Sequence, residues 1–249
     1  MLKYRENRSG IYLLPNLFTT ASLFAAFYSI VASMHSQYEA AVIAIFVGMI
    51  ADGLDGRIAR MTNTQTSFGA EYDSLADMIT FGLAPALLFY NWILNGLGKI
   101  GWLIAFVYTA AVALRLARFN TQLETADKRY FQGLTSTLGG ALMASFAWLC
   151  NQNQWHPPVI AAIVTLITAI LMVSNIRYNS FKEVDFKGKI PFLYVLLIVV
   201  LFVAIAVNPS LVIFAASLCY AASGPTQTLF ALQRMRKRRR RIAKRNKGE

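Results

Sequence analysis

Long apolar runs separated by short polar breaks make up most of this chain. Eight of them, at roughly 12–34, 38–60, 67–94, 99–119, 131–150, 157–176, 190–207 and 209–233, are long enough to form helices. Several approach the ~20 residues that span a hydrocarbon core. The pattern predicts an all-α integral membrane fold of about eight transmembrane helices. Two of the runs are interrupted. From Ala51 to Thr80 the sequence reads ADGLDGRIARMTNTQTSFGAEYDSLADMIT, so the second and third helices are expected to extend out of the hydrocarbon at one edge. Just beyond, Pro85 predicts a kink or a packing feature in the third helix.

Composition places the chain in the membrane class. Of 249 residues, 56% are hydrophobic, and the mean hydropathy is +0.47. This reads as one membrane domain. The expected organisation is an N-terminal arm (1–10), a polytopic membrane domain (11–233) and a basic tail (234–249). Basic residues orient it, since Lys and Arg collect on the cytosolic side. With the N-terminus inside, every Lys and Arg except Lys99 falls on the inner side. Both termini and the acidic stretch are then cytosolic, in a multi-pass protein of the cell (inner) membrane. No cleavable signal peptide is expected, because the first apolar run is too long and follows a mixed-charge start.

The tail from Arg234 carries most of the net charge of +12. A polybasic run directly after a membrane helix suits anionic lipid headgroups better than nucleic acid, although a topology anchor would also explain it. Cys150 and Cys219 fall in predicted helices and suggest neither a disulfide framework nor a metal site. His35 and His156 fall at or near outer loops and read as surface residues.

The acidic stretch is the part that carries chemistry. Five of the twelve acidic residues lie within it: Asp52, Asp55, Glu71, Asp73 and Asp77. Carboxylates inside otherwise apolar membrane segments are costly and mark function. Asp52, Asp55, Gly56 and Ala59 fall at i, i+3, i+4 and i+7, one face of a helix; Gly69, Asp73 and Asp77 fall at i, i+4 and i+8, again one face. The polar segment from Met61 to Ser67 suits a turn between antiparallel helices, which would aim four carboxylates at one point. They cannot all stay ionised there without cations. An all-oxygen ligand set favours Mg²⁺, Mn²⁺ or Ca²⁺ over zinc. Glu71 points to another face and is left outside this set.

The spacing Asp52-x2-Asp55-Gly56-x2-Ala59-Arg60-x8-Gly69-x3-Asp73-x3-Asp77 resembles the signature of the CDP-alcohol phosphatidyltransferases in all eight fixed positions. The resemblance implies two divalent cations, Mg²⁺ or Mn²⁺. Asp52 and Asp73 would bridge both, Asp55 would hold one, and Asp77 would hold the other and act as general base. It also implies that Asn16, Gly56, Ala59, Arg60, Thr66 and Gly69 border the CDP moiety. Asn16 alternatively caps the first helix, and Arg60 alternatively anchors the positive inner side.

Later segments resemble the phosphatidylserine synthase branch: Arg118-Phe119-Asn120, the stretch from Tyr130 to Ala141, and Leu171 to Ser174 followed by Tyr178 and Ser180-Phe181-Lys182. Thr135 and Thr137 stand where that branch usually has prolines, and Gly139 where it has alanine. The resemblance covers most of 11–187 and implies transfer of a phosphatidyl group from CDP-diacylglycerol to serine, with release of CMP, by a homodimer. Arg115, Arg118 and Asn120 are the expected acceptor and phosphate region, with headgroup snorkelling as the other reading of the two arginines. Other acceptors (glycerol 3-phosphate, inositol phosphate or choline) would use the same chemistry. A cation-coupled transporter is the alternative of a different class, and a membrane scaffold built on the tail is a third.

Overall fold

Helix boundaries fall where the apolar pattern breaks. The computed structural model describes residues 9–62, 64–122, 130–179 and 192–246. Helices α1 (Ser9–Met34) and α2 (Tyr38–Thr62) form an antiparallel pair. Next comes a continuous rod in which α3 (Ser67–Asp77) passes through a π-helical turn (Met78–Leu83) into α4 (Ala84–Trp92). A short 3-10 turn (Leu94–Leu97) leads to α5 (Lys99–Gln122). Strand β1 (Tyr130–Gln132) precedes α6 (Ser136–Gln152) and α7 (Pro158–Val173), and β2 (Arg177–Asn179) precedes α8 (Phe192–Val207) and α9 (Pro209–Asn246). Counting the rod once, the described residues supply one helix for each apolar run. The N-terminal arm through Arg8, the loop from Glu124 to Arg129, and Ser180, Phe181, Lys182, Lys187 and Lys189 lie outside them.

Large apolar side chains cover the outside of the bundle. Phe24, Phe106, Ile170 and Phe202 are 71%, 62%, 66% and 74% exposed, while Thr19, Ser22, Ser145 and Thr168 are buried. A bundle with apolar outer walls and hydroxyls inside is suited to lipid, where interior hydroxyls bond across helices or back to their own turn. Leu14–Met34 and Lys99–Thr121 are each long and apolar enough to cross a membrane. Small residues let the helices approach: Ala26, Ala41, Ala84 and Ala144 are fully shielded in the core beside Ile45 and Phe89.

Three boundaries differ from expectation. Helix α6 starts at Ser136 rather than near 131, and α7 stops at Val173 rather than near 176, because the flanking residues pair as a ribbon. Tyr130, Phe131 and Gln132 oppose Asn179, Tyr178 and Arg177 in antiparallel register. Helix α9 continues to Asn246, well past 233, since Arg and Lys are good helix formers and favour a helix C-terminus.

The ribbon is anchored at both ends. At Gly133 φ is +75°, and a Cβ there would lie 2.3 Å from the Met172 carbonyl oxygen. Tyr178 is fully buried, stacks on Tyr220 at 5.5 Å, and donates its hydroxyl to Ala221 O at 3.0 Å. Burial and the neighbouring Tyr220 push that phenol up to about 12, so it stays a donor. Gly133→Ala combines backbone strain of about 1–3 kcal/mol with a steric clash. It is expected to lower the midpoint of thermal unfolding in detergent, whereas Gly96→Ala, which has open space around it, leaves the midpoint within error.

Candidate active site

The turn between α2 and α3 brings the acidic residues together. Thr64, buried, donates its N–H to Ala59 O at 3.1 Å, and its hydroxyl pairs with that of Thr62 at 2.7 Å. Thr66 then caps α3, its Oγ1 accepting from Gly69 N at 3.0 Å, which stabilises the first turn. Gly69 has no side chain where one would crowd Thr66 Oγ1 at 3.1 Å and Asn16 Oδ1 at 3.4 Å, so α1 can approach α3 closely.

One oxygen each from Asp52, Asp55 and Asp73 lie within 4.8 Å of one another. Asp77 lies close to Asp52, within the electrostatic reach of the Arg115 cation, and lines the same cleft as Asp55 and Asp73. Thr19 on α1 donates its hydroxyl to Asp55 Oδ2 at 2.7 Å. Asp73 Oδ1 is buried with no hydrogen-bond partner among the described residues. An unpartnered buried carboxylate oxygen beside two further carboxylates is unfavourable as it stands and suits a hard cation. The donor set fits such an ion. Glu71 is exposed and stands apart from this group.

The carboxylates open onto a cleft of about 390 Å³, a size typical of small-molecule sites. Asn16, Asp55, Gly56, Ala59, Arg60, Thr66, Gly69, Asp73, Asp77 and Asn120 all line it. A Cβ on Gly56 would meet nothing but the Arg60 guanidinium, 3.9 Å away, so the backbone there is open to a ligand. Asn120 donates its amide to Ser74 Oγ at 3.0 Å, across from α5 to α3.

Asp52, Arg115 and Arg118 are not on the cleft wall. Asp52 sits in the carboxylate cluster behind it. Arg115 donates to Ser136 Oγ at 2.8 Å, and its Nε is buried without a partner among the described residues. Arg118 donates to Val173 O and Asn175 Oδ1, at 3.0 and 3.2 Å, which places its charge at the carbonyl end of α7. Thr19, Ser74 and Ser136 did not stand out in the sequence. Thr19 carried a faint signal, lying three residues after Asn16 and thus on the same face of α1.

The family model for CDP-alcohol phosphatidyltransferase matches residues 12–174. The chain belongs to the CDP-alcohol phosphatidyltransferase family. This family is membrane-embedded and divalent-cation dependent, in agreement with the lipid-suited bundle and the aspartate cluster. Among curated relatives, the chain is 37% identical over 196 residues (78% of this chain, 83% of the relative) to a CDP-diacylglycerol–serine O-phosphatidyltransferase of Helicobacter pylori. It is 30% identical to the Mycobacterium leprae protein of that name (87% of this chain, 74% of the relative) and 33% to that of Bacillus subtilis (68% and 92%).

Within this family site, Thr19 orients a carboxylate from outside the signature. Residues that orient metal ligands typically contribute 10–100-fold in metal affinity or activity. Thr19→Val is therefore expected to weaken Mn²⁺ activation by about 10-fold or more, while Thr19→Ser restores most of it. Half-activating Mn²⁺ concentrations measured for the three proteins check this.

Proposed function

We propose that this protein is an integral-membrane CDP-diacylglycerol–serine O-phosphatidyltransferase, making phosphatidylserine and CMP. One observation carries the reading: three signature carboxylates, Asp52, Asp55 and Asp73, converge beside a cleft lined by the fourth, Asp77, and by Asn16, Gly56, Arg60, Thr66 and Gly69. Serine as the acceptor is supported by the names of the curated relatives.

In this reading Asp52, Asp55, Asp73 and Asp77 hold two divalent cations, Mg²⁺ or Mn²⁺. Such ions, when bound, neutralise a diphosphate and stabilise the departing phosphate. The residues of the chain do the rest. Gly56 leaves room for the CDP moiety along the backbone of α2, while Gly69 lets Asn16 and Thr66 close in as polar neighbours of that moiety. Arg60, exposed at the cleft rim, supplies a forked donor for phosphate oxygens. Asp77 accepts the proton of the serine hydroxyl as its oxygen bonds to the phosphorus attached to diacylglycerol, and the bond from that phosphorus to the CMP oxygen breaks. A positioned base typically contributes 10²–10⁴-fold to such a step. Attack is direct in this reading, since the hydroxyls that line the cleft, Thr19, Thr64, Thr66 and Ser74, are each engaged in hydrogen bonds within the protein. Asn120, with Arg115 and Arg118 behind it on α5, forms the acceptor region.

The proposal places the cleft, both termini and the basic tail on the cytosolic side of the cell membrane. It rests there on the distribution of Lys and Arg. Anionic headgroups are the natural partners of the tail, and a homodimer is proposed on the family resemblance.

Purified protein in detergent, given CDP-diacylglycerol, Mn²⁺ and single acceptors, is expected to release CMP only with serine. Asp77→Asn should lower that rate by at least ~100-fold while eluting as the same folded species. Release with a different acceptor alone would keep the family chemistry and reject serine.

A further inference from the structure

The helix that carries Asp73 and Asp77 changes its winding immediately after Asp77. Residues Met78–Leu83 form a π-helical turn, closed by the Ala84 N–H bonding to Ile79 O. The cause lies one residue further on. Pro85 has no N–H and its ring crowds the carbonyl four residues earlier, which here is Phe81 O. Widening the turn relieves that crowding, and π-turns of this kind concentrate at functional sites. The Phe81 carbonyl, deprived of its α-helical donor, is satisfied from another helix: Tyr108 Oη on α5 donates to it at 2.9 Å. Tyr108 is 0% exposed, so no water competes for that bond.

The turn is held from several sides. Thr80 pairs with Ser22 Oγ of α1 at 3.2 Å. A Cβ on Gly82 would lie 3.2 Å from Val112 on α5, and one on Gly140 of α6 would lie 3.3 Å from the Phe81 ring. Helix α5 carries Tyr108 and Val112 at the turn, then Arg115, which donates to Ser136, and Asn120 in the cleft. Each residue of an α-helix advances about 100° around the axis. Collapse of the π-turn to an α-turn would therefore rotate Asp77 relative to α4 by roughly one residue's angle.

We infer that Tyr108 is a positioning residue: its hydroxyl replaces the backbone donor that Pro85 removes and so holds the π-helical turn that aims Asp77 into the carboxylate cluster. The inference rests on the reading of Asp77 as a cation ligand.

The test is Mn²⁺ binding, followed by electron paramagnetic resonance on the full-length purified protein without substrate, alongside thermal unfolding and steady-state kinetics. Tyr108→Phe keeps the ring and removes the donor. It is expected to weaken Mn²⁺ binding about 10-fold and to lower kcat, with KM for CDP-diacylglycerol nearly unchanged. Adding Pro85→Ala returns an N–H for Phe81 O and should restore the unfolding midpoint, but Mn²⁺ binding should stay weak because the regained bond closes the turn as an α-turn. A purely structural role predicts recovery of both, and that result would overturn the inference. So would wild-type Mn²⁺ affinity in Tyr108→Phe while Asp77→Asn binds weakly. Unchanged Mn²⁺ affinity in Asp77→Asn would instead remove the premise, and the positioning role with it.

Discussion

Negative charge crowded into an apolar bundle is the constraint from which the rest of this architecture follows. Asp52, Asp55 and Asp73 bring oxygens within 4.8 Å of one another, and Asp55 is only 4% exposed. Asp52 and Asp73 are half-buried, and like charges at that separation repel more strongly the less water surrounds them. Protein donors relieve only part of the problem: Thr19 covers one oxygen of Asp55, and Asp73 Oδ1 has no partner among the described residues. The site is thus left short of positive charge, which a divalent cation could supply. The need for an ion is built into the packing.

Holding such a cluster together demands rigid support close behind it. The capped turn at Thr66 fixes the start of α3, and the π-turn fixes its end. Glycines at 69, 82 and 140 sit where side chains would push neighbouring helices away. The outer walls, by contrast, are lined by large apolar side chains such as Phe24 and Phe106, suited to lipid rather than to one another. Geometric precision is concentrated along the axis from Thr66 to Trp92, and the helices around it serve as its mould.

Much of this was legible in the chain itself, for a physical reason. Helix number follows from long apolar runs, and the aspartates from a spacing that depends only on helical periodicity. Asn16, Arg60 and Asn120, singled out in the sequence, line the cleft. What stayed hidden depends on tertiary contact. A ribbon of three-residue strands has no periodic pattern, because its pairing joins Tyr130 to Asn179 across two helices. Pro85 announced a disturbance of the helix, but neither the widened turn nor its donor, 27 residues from Phe81, can be read locally. The destination of Arg118 is equally non-local: its partners lie at the far end of α7, at positions 173 and 175.

The ribbon carries a consequence for the order of assembly. Tyr178 is sealed by Tyr220 and by the Ala221 carbonyl, and a side chain at Gly224 would collide with its ring. These partners are translated some forty residues later, after the whole of α8. Until α9 threads into place, the aromatic face of the ribbon lacks these partners. The catalytic helices can therefore close around their carboxylates while the bundle is still open at one end, and the last helix acts as the keystone.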